Sequence, residues 1–149
     1  HPSLIRYLLS QIFHLAFSML PYIQHPHYRP LLKGKGKIWR IQVEQRIPSL
    51  LVECRNAQTL QASFFAYHLK QRAWLWQEME FEEGWWLTLA AAGEGMAFFK
   101  KVSDEPQQQA LGITALDIAA QQVAWFYPDC QLQHVTADGV VVAKELDEA

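Results

Sequence analysis

The chain has 149 residues, of which 50% are hydrophobic and 19% are charged, and its formal net charge at pH 7 is −2. A chain of this length typically forms one domain, and this composition supplies enough apolar surface for a core. The near-neutral charge excludes the dense basic surface typical of nucleic-acid-binding domains, so we expect no nucleic-acid partner. The hydrophobic and aromatic content also excludes a disordered chain.

Residues 4–23 carry apolar side chains at the i, i+3, i+4 spacing of a helix, which Pro21 should end or kink. Three interpretations stay open: an amphipathic helix packed on the domain, a signal or membrane segment, and a poorly ordered extension. Arg6 and His14 interrupt the apolar run and argue against a membrane span. We therefore favour the packed helix. The sequence does not determine the compartment, and of the possible locations we favour the cytoplasm.

Residues 21–37 are rich in proline, glycine and lysine, which is typical of a linker. We divide the chain into an N-terminal helix with its proline-rich linker at residues 1–33 and a β-repeat domain at residues 34–149. His25 and His27 lie in the linker without further ligands at a metal-binding spacing, so we predict no metal site.

The two cysteines, Cys54 and Cys130, form no CxxC motif, which excludes a zinc-ribbon or thioredoxin-type site. We expect two free thiols, and a single disulfide between them is the alternative.

From Lys37 onward, apolar and polar residues alternate in short runs separated by turn residues, which predicts a mainly β protein. On the first strand this alternation places Trp39, Ile41 and Val43 on one face. The predicted strands span residues 38–44, 49–55, 61–69, 73–79, 85–92, 96–102, 110–118, 122–127, 132–136 and 140–144.

Two segments of the β region are similar at an offset of 49 residues. Residues 66–76 read AYHLKQRAWLW and residues 115–125 read ALDIAAQQVAW, each with strands before and after it. A period near 50 with four strands per unit is typical of propeller blades. We predict an antiparallel, propeller-blade-like meander of about two to two and a half blades. Residues 37–55 then form the tail of an earlier unit, with Trp39 in the tryptophan position.

The frame A-L-D followed by W at the eighth position after the Asp resembles the repeat of quinoprotein-type (pyrroloquinoline-quinone) β-propellers. The resemblance implies that each repeat tryptophan docks one blade onto its neighbour. It assigns structural repeat positions to Ala66, Ala115, Asp117, Trp76 and Trp125.

That repeat usually has Thr-Gly in its turn, where this chain has Gln71-Arg72 and Ala120-Gln121. A non-glycine residue held at positive φ there would cost about 1 kcal/mol.

Residues 34–145, through stretches such as LLVECR, SFFAYHL and GITALDI, also resemble a family of uncharacterised bacterial proteins known as a domain of unknown function. This resemblance supports the fold and implies no activity.

Glu82, Glu83, Trp85 and Trp86 form an acidic and aromatic cluster that could bind a cation or a sugar. The alternative is a solvated turn followed by a core strand. If Trp85 and Trp86 lie on a strand, their side chains face opposite sides, and at least one is exposed or at an interface.

His68 and Asp117 occupy the same repeat position, as an acid/base pair or as turn hydrogen-bond acceptors. Because the position repeats, we favour the role of turn hydrogen-bond acceptor. The sequence contains no nucleophile-elbow, zinc-protease or Walker motif. We therefore predict no catalytic residue and no cofactor.

The leading hypothesis for function is a non-catalytic module that binds a protein partner or itself. Two alternatives remain: a piece of a quinoprotein-like or sugar-binding propeller enzyme, and a membrane-anchored or exported scaffold.

Overall fold

The computed structural model describes residues 31–32, 36–103, 111–136, 138 and 141–145. The predicted N-terminal helix and most of the linker lie outside the described residues. Within the described part the chain forms strands and one short 3-10 turn, Gly84–Trp86. The strands are β1 (Lys37–Glu44), β2 (Ser49–Asn56), β3 (Gln61–His68), β4 (Ala73–Met79), β5 (Leu87–Gly93), β6 (Met96–Lys101), β7 (Ile113–Asp117), β8 (Gln122–Tyr127), β9 (Cys130–Val135) and β10 (Val141–Glu145).

The described strands form three antiparallel sheets, two of which are four-stranded up-and-down meanders. Sheet 1 has the order β1-β2-β3-β4, sheet 2 has the order β5-β6-β7-β8, and the third sheet pairs β9 with β10. The mainly β prediction is confirmed. The idea that residues 37–55 form the tail of an earlier unit is wrong, because these residues form the first two strands of sheet 1. Among the described residues, no helix has the length and hydrophobicity needed to cross a membrane.

The main hydrophobic core lies between sheets 1 and 2. Phe64 on β3 meets Phe99 on β6 edge to face, with ring centroids 4.8 Å apart. Both rings are at most 1% exposed, and full burial of such a side chain contributes roughly 1.5–3 kcal/mol. The other buried residues of this core are Leu51, Ala62, Ala66, Trp76, Leu89, Ala97, Leu116 and Ile118.

A second cluster covers the opposite face of sheet 1, where Leu50, Val52 and Cys54 of β2 are buried. Because side chains alternate along a strand, β2 contributes these residues to one face and Leu51 and Glu53 to the face toward sheet 2. The run LLVEC is therefore buried on both sides, which explains its nearly continuous hydrophobicity.

A β-bulge at Trp39 overturns the predicted faces of β1. The pairing register shifts between Ile38 and Arg40, so Trp39 is the extra residue. Ile38, not Trp39, packs with Ile41 and Val43 against the second cluster. Trp39 is 61% exposed.

The pairing of the third and fourth strands repeats in sheets 1 and 2. Ala66 pairs with Trp76 in sheet 1, and Ala115 pairs with Trp125 in sheet 2. In both sheets the register shifts immediately after that alanine. Residues 49 positions apart in the sequence thus occupy equivalent positions in sheets 1 and 2.

The turn that joins these two strands also repeats. The His68 Nδ1 accepts a hydrogen bond from the Gln71 N–H at 3.0 Å, and the Asp117 Oδ1 accepts one from the Ala120 N–H at 3.0 Å. The two side chains therefore have the same local role, that of a turn acceptor.

Candidate functional site

A buried carboxylate connects sheet 1 to sheet 2. Glu53, in the middle of β2, has no exposed surface. Its Oε1 accepts hydrogen bonds from the Thr88 hydroxyl at 2.8 Å and from the Leu89 N–H at 2.6 Å, both on β5. Its Oε2 accepts a hydrogen bond from the Arg55 Nη1 at 3.0 Å. A buried charge needs such partners, because an unpaired one would lose its hydration without compensation.

Arg55 extends this network to the tryptophan turn. Its guanidinium donates to the Leu87 carbonyl at 2.9 Å and also to the Trp85 carbonyl. The guanidinium carbon lies 4.4 Å from the centre of the Trp85 ring, a cation–π contact. The side chain of Arg55 is only 11% exposed, so Trp85 is held in place by a shielded charge.

The two adjacent tryptophans lie in the 3-10 turn Gly84–Trp86 and not on a strand. The expectation that they face opposite sides of a strand is therefore wrong, since β5 begins only at Leu87. The Trp86 N–H donates to the Glu83 carbonyl at 3.0 Å, and the Trp86 carbonyl accepts from the Val102 N–H at 2.7 Å. Trp85 is half-buried, whereas Trp86 is 36% exposed.

A shallow cavity of about 390 Å³, here called the acidic pocket, lies beside this turn and is lined by Glu80, Glu82, Glu83 and both tryptophans. Glu83 is within 3.8 Å of the Lys101 ammonium, and both side chains are largely exposed. Among the described residues, no group of His, Cys, Asp and Glu side chains is arranged to hold a metal ion.

A larger cavity of about 960 Å³, here called the basic groove, also borders the two tryptophans. Its walls include Lys37, Trp39 and Arg40 of β1, Arg55, and Asn56 at the end of β2. Of the described residues that line it, none is Asp or Glu. The predicted cluster of Trp85 and Trp86 therefore adjoins two cavities of opposite charge.

Sequence reasoning missed Lys37, Arg40, Glu53 and Arg55 as residues of this region. One signal was available: the run SLLVECR places Glu53 and Arg55 at i, i+2, directly after the apolar residues of the strand. A charge inside a buried run predicts a partner on the facing element.

The repeat tryptophans occupy distinct environments. The Trp76 Nε1–H donates to the Ile118 carbonyl at 2.9 Å, across the boundary between sheets 1 and 2. The Trp125 ring packs against Phe98 and Tyr127, and its indole N–H has no hydrogen bond within the part of the chain that the structure describes. Trp39 lies on a first strand, so its position differs from that of the other two, which lie on fourth strands.

Both cysteines are free thiols. Cys54 is buried in the second cluster, and burial together with the neighbouring Glu53 charge raises its pKa from 9.0 to about 11. A thiol with so high a pKa is a poor nucleophile at neutral pH.

The fold and site of the described residues define a mainly β protein of docked antiparallel sheets that carries a tryptophan-lined groove. The chain belongs to the family described as a domain of unknown function, DUF4905, whose family model matches residues 43–125, more than half of its length. No curated protein and no solved structure matches the chain.

Proposed function

We propose that this chain is a non-catalytic β-repeat scaffold that associates with a second copy of itself through the edge strand of its third sheet. The observation that carries the proposal is the edge of β10, which among the described residues pairs only with β9 and exposes Val142. Sheets 1 and 2 have four strands each, and the third sheet pairs β9 with β10. Successive four-stranded sheets joined by a docking tryptophan are typical of β-propellers, and the resemblance to the quinoprotein repeat supports this arrangement.

The two repeat tryptophans support this proposal. Trp76 is 7% exposed because sheet 2 covers it and the carbonyl directly after β7 accepts its N–H. Trp125 has the same pairing in sheet 2 but remains partly exposed. If sheet 2 repeats the arrangement of sheet 1, the Trp125 ring would be covered by the third strand of the following sheet.

The third sheet already lies against sheet 2. The Gly112 N–H donates to the Cys130 carbonyl at 3.0 Å, and β9 contacts both β5 and β7. Among the described residues β10 pairs only with β9, and Val142 on β10 is 45% exposed. An open strand edge presents unpaired N–H and carbonyl groups to another chain. Two copies that pair through β10 about a two-fold axis would form a four-stranded sheet.

The test is the solution mass of the chain by light scattering after size exclusion, over about 1–100 µM. We expect a dimer that dissociates on dilution. Val142→Lys should shift the protein to monomer, because a charge on an edge strand opposes pairing. The matched control is Val123→Lys on β8, since Val123 is 52% exposed and lies outside the third sheet.

A wild-type chain that stays monomeric throughout this range would overturn the proposal. A Val142→Lys variant that dimerises as well as the wild type would also overturn it, because β10 would then not be the interface. Soluble aggregate instead of a dimer would favour the alternative, a piece of a larger propeller.

A further inference from the structure

The bulge at Trp39 brings cationic and aromatic side chains to one side of β1. Lys37 pairs with Arg55 and Arg40 pairs with Glu53. Cross-strand partners share a face of the sheet, and residues i and i+2 of β2 share the face toward sheet 2. Lys37 and Arg40 therefore lie on that face together, although residues three apart on a regular strand would lie on opposite faces.

The floor of the basic groove is preorganised. The Arg55 guanidinium is bonded to Glu53 and to the carbonyls of Leu87 and Trp85, and it stacks on the Trp85 ring. These contacts fix Trp85 and leave Trp39 and Trp86 with open indole faces, at 61% and 36% exposure. A ligand that stacks on a fixed surface loses less conformational freedom of the protein on binding.

Among the described residues, the positive charges in the basic groove outnumber the negative ones. Arg55 is paired with Glu53, but Lys37 and Arg40 make no ion pair with any described residue. Both are exposed and line the groove, which has no Asp or Glu among its described lining residues. Within the part of the chain that the structure describes, the groove thus offers two positive charges without an acidic partner, beside open aromatic faces.

The groove also offers a hydrogen-bond donor. The Asn56 Oδ1 accepts from the Gln58 N–H at 3.0 Å and from the Thr59 N–H at 3.3 Å, which fixes the side chain in the turn. Its Nδ2 is left to donate, and Asn56 lines the groove. A fixed amide beside an aromatic wall suits a ring that carries hydroxyl groups.

We propose that the basic groove binds an acidic saccharide, with pyranose rings stacked on Trp39 and Trp86 and carboxylates paired with Lys37 and Arg40. The C–H faces of a pyranose carry partial positive charge that matches the negative face of an indole. A nucleic acid fits less well, because two unmatched cations on a chain of net charge −2 neutralise few phosphates. This proposal shares no residue with the β10 interface and does not depend on it.

The test is calorimetric titration of the chain with trigalacturonate, with maltotriose as the neutral sugar and an eight-residue oligothymidylate as the nucleic acid. We expect trigalacturonate to bind about tenfold or more tightly than either of the others. Trp39→Ala should weaken its binding about tenfold, and Lys37→Gln and Arg40→Gln should each weaken it several-fold and reduce its salt dependence.

Two matched controls should bind as the wild type does. Phe126→Ala removes an aromatic ring that is 56% exposed on β8, and Lys70→Gln removes an exposed cation outside the groove. The indole N–H resonances provide a second readout. Those of Trp39 and Trp86 should shift on titration, whereas that of Trp125 should not.

Three results would overturn the proposal. One is no binding of trigalacturonate at about 10 mM, which is weaker than a specific saccharide site requires. Equal binding of maltotriose would mean that Lys37 and Arg40 have no role in recognition. Tighter binding of the oligothymidylate would assign the groove to single-stranded nucleic acid.

Discussion

At the scale of single residues, the two equivalent turns after His68 and Asp117 each hold a non-glycine residue in an unfavourable backbone conformation. Arg72 has a φ of 51° and Gln121 has a φ of 54°, in equivalent turns of sheets 1 and 2. The left-handed region costs an L-residue roughly 1–2 kcal/mol, whereas glycine enters it freely. The side-chain acceptors His68 and Asp117 help to hold these turns closed.

Gln121→Gly should therefore raise the free energy of unfolding by about 0.5–1 kcal/mol, because relief of strain exceeds the added flexibility of the unfolded chain. Urea denaturation would measure the change. The control is the neighbouring Gln122→Gly, which lies on β8 and should lower stability. A loss of stability in Gln121→Gly would show that the turn is not strained.

The buried thiol provides a pH-dependent prediction. The folded pKa of Cys54 is about 11, above its ordinary value of 9.0, so the unfolded chain releases this proton first as the pH rises. The stability that Cys54 contributes is therefore complete below pH 9 and is lost as the pH rises from 9 to 11. The difference in unfolding free energy between wild type and Cys54→Ala should shrink over this range.

At the scale of elements, the Glu53–Arg55 pair joins β2 to β5. Both side chains are shielded, at 0% and 11% exposure, so removal of one leaves the other charge buried and unpaired. Because Arg55 also fixes Trp85, the same pair that joins the sheets shapes the basic groove.

Glu53→Gln and Arg55→Met should each lower the unfolding free energy by about 3 kcal/mol, and the double variant should lose less than the sum of the two. Urea denaturation of all four proteins gives the coupling energy. The matched control is the pair Arg46 and Glu94, 69% and 51% exposed, whose coupling should stay below about 0.5 kcal/mol. Additive losses at Glu53 and Arg55 would contradict direct pairing.

At the scale of the whole molecule, the Trp76 side chain joins sheet 1 to sheet 2. The Trp76 indole donates across the boundary between sheets, and its loss leaves the Ile118 carbonyl without this bond.

Trp76→Phe should lower the unfolding free energy by about 1–3 kcal/mol, because a buried acceptor loses its donor. Trp125→Phe, measured by the same chemical denaturation at concentrations that keep the chain monomeric, should cost less. Equal losses in both variants would mean that the hydrogen bond of Trp76 contributes nothing beyond ring packing.

The sequence by itself determined the mainly β class, the approximate strand positions and the 49-residue repeat. These features are local, because each depends on residues that are close together in the sequence. They are the alternation of side chains, the turn residues and the spacing of Ala66–Trp76 and Ala115–Trp125.

Only the tertiary structure decided the bulge at Trp39 and the network around Glu53. The bulge is a property of the register between β1 and β2, which side-chain alternation on β1 alone cannot reveal. Glu53 meets Thr88 at a sequence separation of 35 residues, across two sheets. The basic groove combines residues of β1, β2 and the tryptophan turn, so its charge and shape exist only after the sheets have docked.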